Sequence, residues 1–172
     1  MFEIKDNMLQ ISRNGETVVI YAQGQDALRV RATMNCAFDD RDWALEGAPV
    51  GEAEIRLEGD GAVITNGAIS ARVDRLGKIR FYKSGVQILE EYYRCYEYDM
   101  PHTPSLRIVA REYKPIRGGD YECTLRFEAQ KEKLYGMGQY QQDCLDLKGC
   151  TLELAQRNSQ ASVPFLLSSL GY

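Results

Sequence analysis

"AVITNGAISARV", residues 62 to 73, sets two short β-rich runs on either side of Asn66-Gly67. Val and Ile are stiff at χ1 and pack well on a pleated surface, so both runs favour extended backbone. Asn followed by Gly tolerates the positive φ that a two-residue hairpin demands. The stretch therefore predicts two antiparallel strands joined by a tight turn. The same grammar recurs outward in both directions. "ISRNGETVVIYA" (11–22) repeats it around Asn14-Gly15, and "RVDRLGKIRFYKSGVQILEE" (72–91) carries turns at Gly77 and at Ser84-Gly85. "YKPIRGGDYECTLRFEAQ" (113–130) has a loop at Gly118-Gly119 and then alternates Tyr121, Cys123, Leu125 and Phe127. That alternation predicts one buried face bearing those four side chains.

Short strands at this spacing, without a convincing amphipathic helix, predict an all-β fold, an antiparallel β-sandwich. "TVVIYA" (17–22) and "PFLLSSLGY" (164–172) alternate less and read as strands covered on both sides. "FDDRDWALEGAPVGE" (38–52) and "YDMPHTPS" (98–105) read as irregular. No internal repeat or low-complexity linker divides the chain, so 1–172 reads as a single domain.

Composition narrows the function classes. With 172 residues and 44% hydrophobic residues, the chain can bury a real core. A net charge of −4 with both signs scattered disfavours nucleic acid, which would require a basic face. No window approaches the ~20 apolar residues that span a membrane, so no membrane partner is expected. The opening "MFEIKDNMLQ" has early acids and lacks the apolar stretch of an export signal. Five cysteines at irregular spacing (Cys36, Cys95, Cys123, Cys144, Cys150) fit reduced thiols in core or strand positions. Both observations predict a cytoplasmic location.

The residues by themselves offer little chemistry. His102 is the sole histidine, and any Ser-His-Asp or Cys-His arrangement would have to run through it. It lies between prolines in "MPHTP" (100–104) and reads as a loop residue. Cys144 and Cys150 are six apart, too sparse for a structural zinc site. No metal or cofactor is expected. "YGMGQYQ" (135–141) has Gly136 and Gly138 but lacks the third glycine of a dinucleotide loop. Two glycines in that setting indicate a bulge or a close backbone approach. Asp39, Asp40 and Asp42, or Glu90 and Glu91, could form a carboxylate pair for glycoside cleavage, but read first as solvated loop or strand-edge charges.

One block is more specific. "EKLYGMGQYQQDCLDLKGCTLELAQRNSQASVPFLLSSLGY" (132–172) contains Tyr135-Gly136-Met137-Gly138, Leu147-Lys148-Gly149, a strand closing on Gln156-Arg157-Asn158, then Pro164-Phe165 and Ser168-Ser169-Leu170-Gly171-Tyr172. In that order these elements resemble the end of the N-terminal β-sandwich in glycoside hydrolase family 31, the α-glucosidase and α-xylosidase family. "DALRVRATMN" (26–35), with Trp43-Ala44-Leu45 downstream, is similar to an earlier strand of those domains. The resemblance implies a galactose-mutarotase-like supersandwich packed on a (β/α)₈ barrel that begins beyond Tyr172. It also implies retaining hydrolysis by two aspartates of the barrel, neither of them in this chain. The expected partners are thus the parent's own catalytic barrel and, in the intact enzyme, an α-linked oligosaccharide or glycoside. Self-association of the apolar ending is a further expectation.

The resemblance carries one role onto this chain. The loop after the Arg157-Asn158 step would reach the sugar pocket of the intact enzyme, with Asn158, Ser159 and Gln160 as substrate-binding residues and no catalytic residue. An amide both donates to and accepts from sugar hydroxyls. Asn158 capping a turn is the bland alternative. At the level of the whole chain, a free-standing carbohydrate-binding sandwich is the alternative, its eleven tyrosines and Trp43 offering stacking surfaces. An aldose epimerase shares the supersandwich but relies on histidines for proton transfer, and only His102 is present.

Overall fold

The computed structural model describes residues 1–38, 41, 51–95, 98, 107–141 and 143–172. The chain divides into two compact units, Met1–Glu128 and Ala129–Tyr172.

The first unit opens with a four-stranded antiparallel meander: β1 (Phe2–Lys5), β2 (Met8–Arg13), β3 (Glu16–Ala22) and β4 (Leu28–Met34). A five-stranded meander follows: β5 (Glu54–Glu58), β6 (Gly61–Asn66), β7 (Ile69–Val73), β8 (Ile79–Lys83) and β9 (Val86–Glu90). β10 (Arg111–Pro115) and β11 (Tyr121–Leu125) form a separate pair. The two meanders close on a common apolar core. Leu9, Ile11, Val18 and Ile20 supply one side, and Ala62, Ile64, Ala71, Val73 and Ile79 the other. Period-two alternation does this work: in β6, Ala62, Ile64 and Asn66 are buried while the residues between them are not. The expected antiparallel β-sandwich is the observed one, and the described elements are strands.

Positive φ at paired turn residues confirms most of the predicted hairpins. Asn14 (φ 51°) and Gly15 (φ 84°) join β2 to β3, and Ser84 (φ 49°) and Gly85 (φ 82°) join β8 to β9. Both turns have the left-handed pair that matches strand twist. Asp6 and Asn7 (φ 48° and 59°) form a third such turn, which the sequence reading did not single out. The hairpin at 62–73 is displaced by one residue from the prediction. Asn66 pairs with Ile69 as a strand residue, leaving Gly67 and Ala68 as the loop. Its side chain explains the shift: Asn66 Nδ2 donates to the carbonyls of Gly24 (2.9 Å) and Ala27 (2.7 Å), which anchors it inside the sandwich. The Ala68 amide in turn donates to Asp26 Oδ1 at 2.6 Å.

β3 is covered on both sides, as its unbroken apolar run predicts, with Val18 through Ala22 all buried. β11 departs from its prediction. Cys123 is exposed, and Leu125 and Phe127 stand 53% and 40% exposed, so the expected buried face is not formed among the described residues. The cysteines follow expectation in part: Cys95 is buried and Cys123 lies in β11, whereas Cys36, Cys144 and Cys150 are exposed and outside the strands.

The second unit is a hairpin of β12 (Leu134–Gln139) and β13 (Ala161–Ser168) with a long connection. "PFLLSSLGY" is not covered on both sides: Phe165, Leu166 and Leu167 are 64%, 40% and 49% exposed. The segment leading to Asn158 was expected to be a strand. The stretch 151–156 is irregular instead, and only an isolated bridge between Arg157 and Gln160 remains.

Candidate functional site

The predicted substrate-binding residues share one turn, and the β12–β13 hairpin holds it. Register between the strands breaks at Gly136 and Gly138: Gly136 pairs with Leu166, and Gly138 with Ser162. Three residues of β13, among them Pro164, bulge out between those pairs. A proline suits that place because it has no amide for the ladder. On β12 the bulge is met by three successive positive φ values, at Gly136 (97°), Met137 (66°) and Gly138 (112°). A Cβ at Gly138 would lie 2.1 Å from the Ala161 carbonyl oxygen, and one at Gly136 would lie 2.5 Å from that of Phe165. The Gly-Met-Gly run is therefore a close backbone approach and not a phosphate loop, as its missing third glycine indicated.

Beyond the bulge, Tyr140 Oη and Ser162 Oγ are 2.9 Å apart. Gln156 braces the same point, its Nε2 donating to the Ser162 carbonyl (2.9 Å) and its Oε1 accepting from the Ser162 amide (3.3 Å). The turn itself closes through the Gln160 amide, which donates to the Arg157 carbonyl at 3.0 Å. Ser159 takes the left-handed conformation (φ 65°) at the third turn position, and its Oγ accepts from Gln141 Nε2 at 3.1 Å. Arg157 pairs with Glu153. Asn158 and Ser159 are exposed, and Gln160 is half-buried. Backbone, not the Asn158 side chain, closes the turn. Among the described residues the Asn158 amide has no hydrogen-bond partner, so it is available to a ligand. The turn thus presents an amide and a hydroxyl side by side. Such groups recognise hydroxyls but do not transfer protons at neutral pH.

A second polar centre, in the first unit, was not predicted. Arg111 is buried and all three nitrogens of its guanidinium are engaged. Nε donates to Glu16 Oε1 (2.6 Å), Nη2 to Glu16 Oε2 (3.3 Å) and to the Gly77 carbonyl (3.0 Å), and Nη1 pairs with Glu91. Glu91 is only 2% exposed, and its Oε2 accepts from the Ile79 amide at 2.8 Å. Tyr113 Oη donates to Glu16 Oε1 at 3.0 Å. A cavity of about 150 Å³ adjoins this cluster, lined in part by Arg13, Tyr93, Tyr98, Arg107 and Arg111. Burial raises the Glu91 carboxyl even beside Arg111, and it pushes the Tyr93 hydroxyl up to about 12. For Arg111, burial opposes the charge but the attraction of Glu91 and Glu16 outweighs it, and the guanidinium stays firmly protonated.

Glu90 and Glu91 are therefore not the solvated strand-edge acids expected. Glu90 Oε1 is engaged by Lys78 Nζ (2.6 Å) and Arg80 Nε (2.8 Å), and Glu91 by Arg111. Arg80 also reaches Asp74 Oδ2 at 3.1 Å, and Tyr98 Oη donates to both Asp74 oxygens at 2.8 Å. Acids so engaged are unavailable as a nucleophile and general acid. The cluster is a structural ionic lock. Asp39, Asp40, Asp42, Trp43 and His102 lie outside the described residues. Among the described residues, no group of three His, Cys, Asp or Glu side chains could hold a metal ion.

Comparison with known proteins gives a consistent picture. No family model matches the chain. It is 48% identical over 160 residues to an uncharacterized family 31 glucosidase of Pseudescherichia vulneris, spanning 87% of this chain and 30% of that protein. Alpha-xylosidase A of Aspergillus niger is 24% identical over 178 residues, which is 95% of this chain and 24% of the relative. Among solved structures, a GH31 alpha-xylosidase from a soil metagenome, complexed with xylose, superposes with a TM-score of 0.91 at 44% identity. That match covers 99% of this chain and 27% of the other. The GH31 alpha-xylosidase of Xanthomonas citri shares the fold at a TM-score of 0.77 and 24% identity. The chain thus spans less than a third of the length of the curated relatives it matches.

Proposed function

Because the chain belongs to the family 31 glycoside hydrolases, matching the segment that forms their N-terminal β-sandwich, we propose that it is the noncatalytic front domain of a retaining α-glycosidase. Its role is to pack against the parent's catalytic barrel and lend one loop to the sugar pocket. The observation that carries this reading is the match of nearly the whole chain, at 44% identity and a TM-score of 0.91, to about a quarter of a family enzyme. The exposed apolar side chains of β13 support it, since Phe165, Leu166 and Leu167 are the kind of surface that a covering domain buries. The free amide of Asn158 supports the loop's role, with Ser159 and Gln160 shaping the turn. Catalysis rests on barrel aspartates outside this chain. Three of the four named relatives are alpha-xylosidases, and we favour an α-xyloside as substrate, with an α-glucoside as the alternative. Five free cysteines fit a cytoplasmic location.

The test is kinetic and uses the protein encoded by the full reading frame. Turnover of p-nitrophenyl α-xyloside and α-glucoside identifies the sugar. Asn158→Ala in that protein is expected to raise KM for the preferred substrate about five- to tenfold, the loss of one hydrogen bond to a neutral group. Unchanged kcat and KM would remove Asn158 from the pocket.

A further inference from the structure

The connection between β12 and β13 carries two thiols that the glycosidase reading leaves unused. Cys144 Sγ and Cys150 Sγ are 3.6 Å apart, and both residues are exposed. Backbone hydrogen bonds, the Asp146 carboxylate and the buried Leu147 side chain hold them there without help from the sulfurs. The Leu147 amide donates to the Leu134 carbonyl at 2.7 Å, which pins the middle of the loop to the start of β12. Asp146 Oδ1 accepts from the Leu134 amide and from the Lys148 amide, each at 3.1 Å. The Cys150 amide donates to the Leu147 carbonyl at 3.0 Å, and Gly149 supplies the left-handed turn (φ 79°) that brings the chain back. Leu147 is buried, so the loop is anchored by its apolar side chain as well. Two exposed thiols preset face to face, with no third metal-ligating side chain grouped with them among the described residues, suit sulfur–sulfur chemistry and not metal binding.

We infer that Cys144 and Cys150 are a redox modification site, a dithiol that peroxide converts reversibly to an internal disulfide. Closing the bond needs the sulfurs to approach by about 1.5 Å, from 3.6 Å to the ~2.05 Å of a disulfide. One thiolate attacks the peroxide and becomes a sulfenic acid, and the peroxide's other oxygen leaves as hydroxide. The second sulfur then displaces the sulfenic oxygen: the S–O bond breaks, the S–S bond forms, and the oxygen departs as water. Two thiols give up two electrons and two protons, and one hydrogen peroxide becomes two waters. A small dithiol or a thioredoxin-type reductant reverses the step by thiol–disulfide exchange. The hydrogen bond with Cys144 pushes the Cys150 thiol up, so the oxidation quickens as pH rises above neutral.

The experiment treats the full chain at about 10 µM with one equivalent of hydrogen peroxide, alkylates the remaining thiols and maps the peptides without reduction. A partner held at millimolar effective concentration outcompetes a second chain at that dilution by about a hundredfold. The expected result is one internal 144–150 crosslink with Cys36 and Cys123 still alkylated, reversed by dithiothreitol. Cys144→Ser and Cys150→Ser should each abolish the crosslink while leaving the sheet circular dichroism unchanged. Oxidation of Cys36 or Cys123 ahead of this pair, or crosslinks forming first between chains, would overturn the inference.

Discussion

Arg111→Met tests the interior lock of the first unit. Methionine is close to arginine in bulk but removes the charge that holds Glu16 and Glu91. Glu91, 2% exposed, keeps only the Ile79 amide as partner. Removing one partner of a buried ion pair typically costs about 3–5 kcal/mol, because the remaining charge is neither solvated nor compensated. With a urea slope of about 2 kcal/mol per molar, the unfolding midpoint should fall by about 2 M at pH 7. The pH dependence is the sharper readout. Burial holds the Glu91 carboxyl above its ordinary range even with Arg111 present. A raised folded-state value means that the folded protein binds that proton more readily than the unfolded chain. The group's contribution is therefore fully present below the ordinary carboxylate range and lost as pH rises through the raised value. Without Arg111 the raised value moves higher still, and Glu91 becomes neutral by taking up a proton. The deficit of the variant should be greatest near neutrality and shrink steadily towards pH 5. Urea titrations monitored by circular dichroism at several pH values measure both effects. A deficit under about 1 kcal/mol at pH 7, or one that does not change with pH, would refute the reasoning.

Other substitutions probe different parts of the account. Gly138→Ala should destabilise the β12–β13 hairpin by more than about 2 kcal/mol, since its φ of 112° is strained for alanine and the Cβ would meet the Ala161 carbonyl oxygen at 2.1 Å. Amide exchange should quicken in β12 and β13 while the first unit's core stays protected. Asn66→Ala deletes two hydrogen bonds to loop carbonyls and should cost about 2 kcal/mol in chemical unfolding. The double change Phe165→Ser, Leu167→Ser should reduce self-association of the chain in sedimentation velocity, because these side chains are 64% and 49% exposed. A monomer at high concentration before the change would count against the apolar surface as an interface.

Local signals in this chain were legible and distant ones were not. Asn14-Gly15 and Ser84-Gly85 announce their turns because the φ requirement acts within two residues. Asn66-Gly67 marks its turn one position early because what fixes Asn66 is a pair of carbonyls about forty residues away. The Gly136 and Gly138 spacing foretold a close backbone approach, and the clashing carbonyls bear that out. By contrast, Glu91 looked like one of two adjacent surface acids. Its burial depends on Arg111, twenty residues on, and Arg111 in turn binds Glu16, 95 residues away. No periodicity encodes such a pairing. The strand alternation in β11 promised a buried face, but alternation records only which side chains share a face. Whether that face is covered depends on a second layer, and Leu125 and Phe127 have none among the described residues. Asn158, Ser159 and Gln160 could be placed on one turn from the motif order alone, since the turn is local.

The most direct test of the front-domain claim is hydrolysis of p-nitrophenyl α-xyloside and α-glucoside by two proteins prepared alongside each other: this 172-residue chain and the product of its complete reading frame. No nitrophenol release is expected from the chain alone, and sustained release is expected from the longer protein. Hydrolysis by the chain alone, or no α-glycosidase activity from the complete protein on either substrate, would contradict that claim.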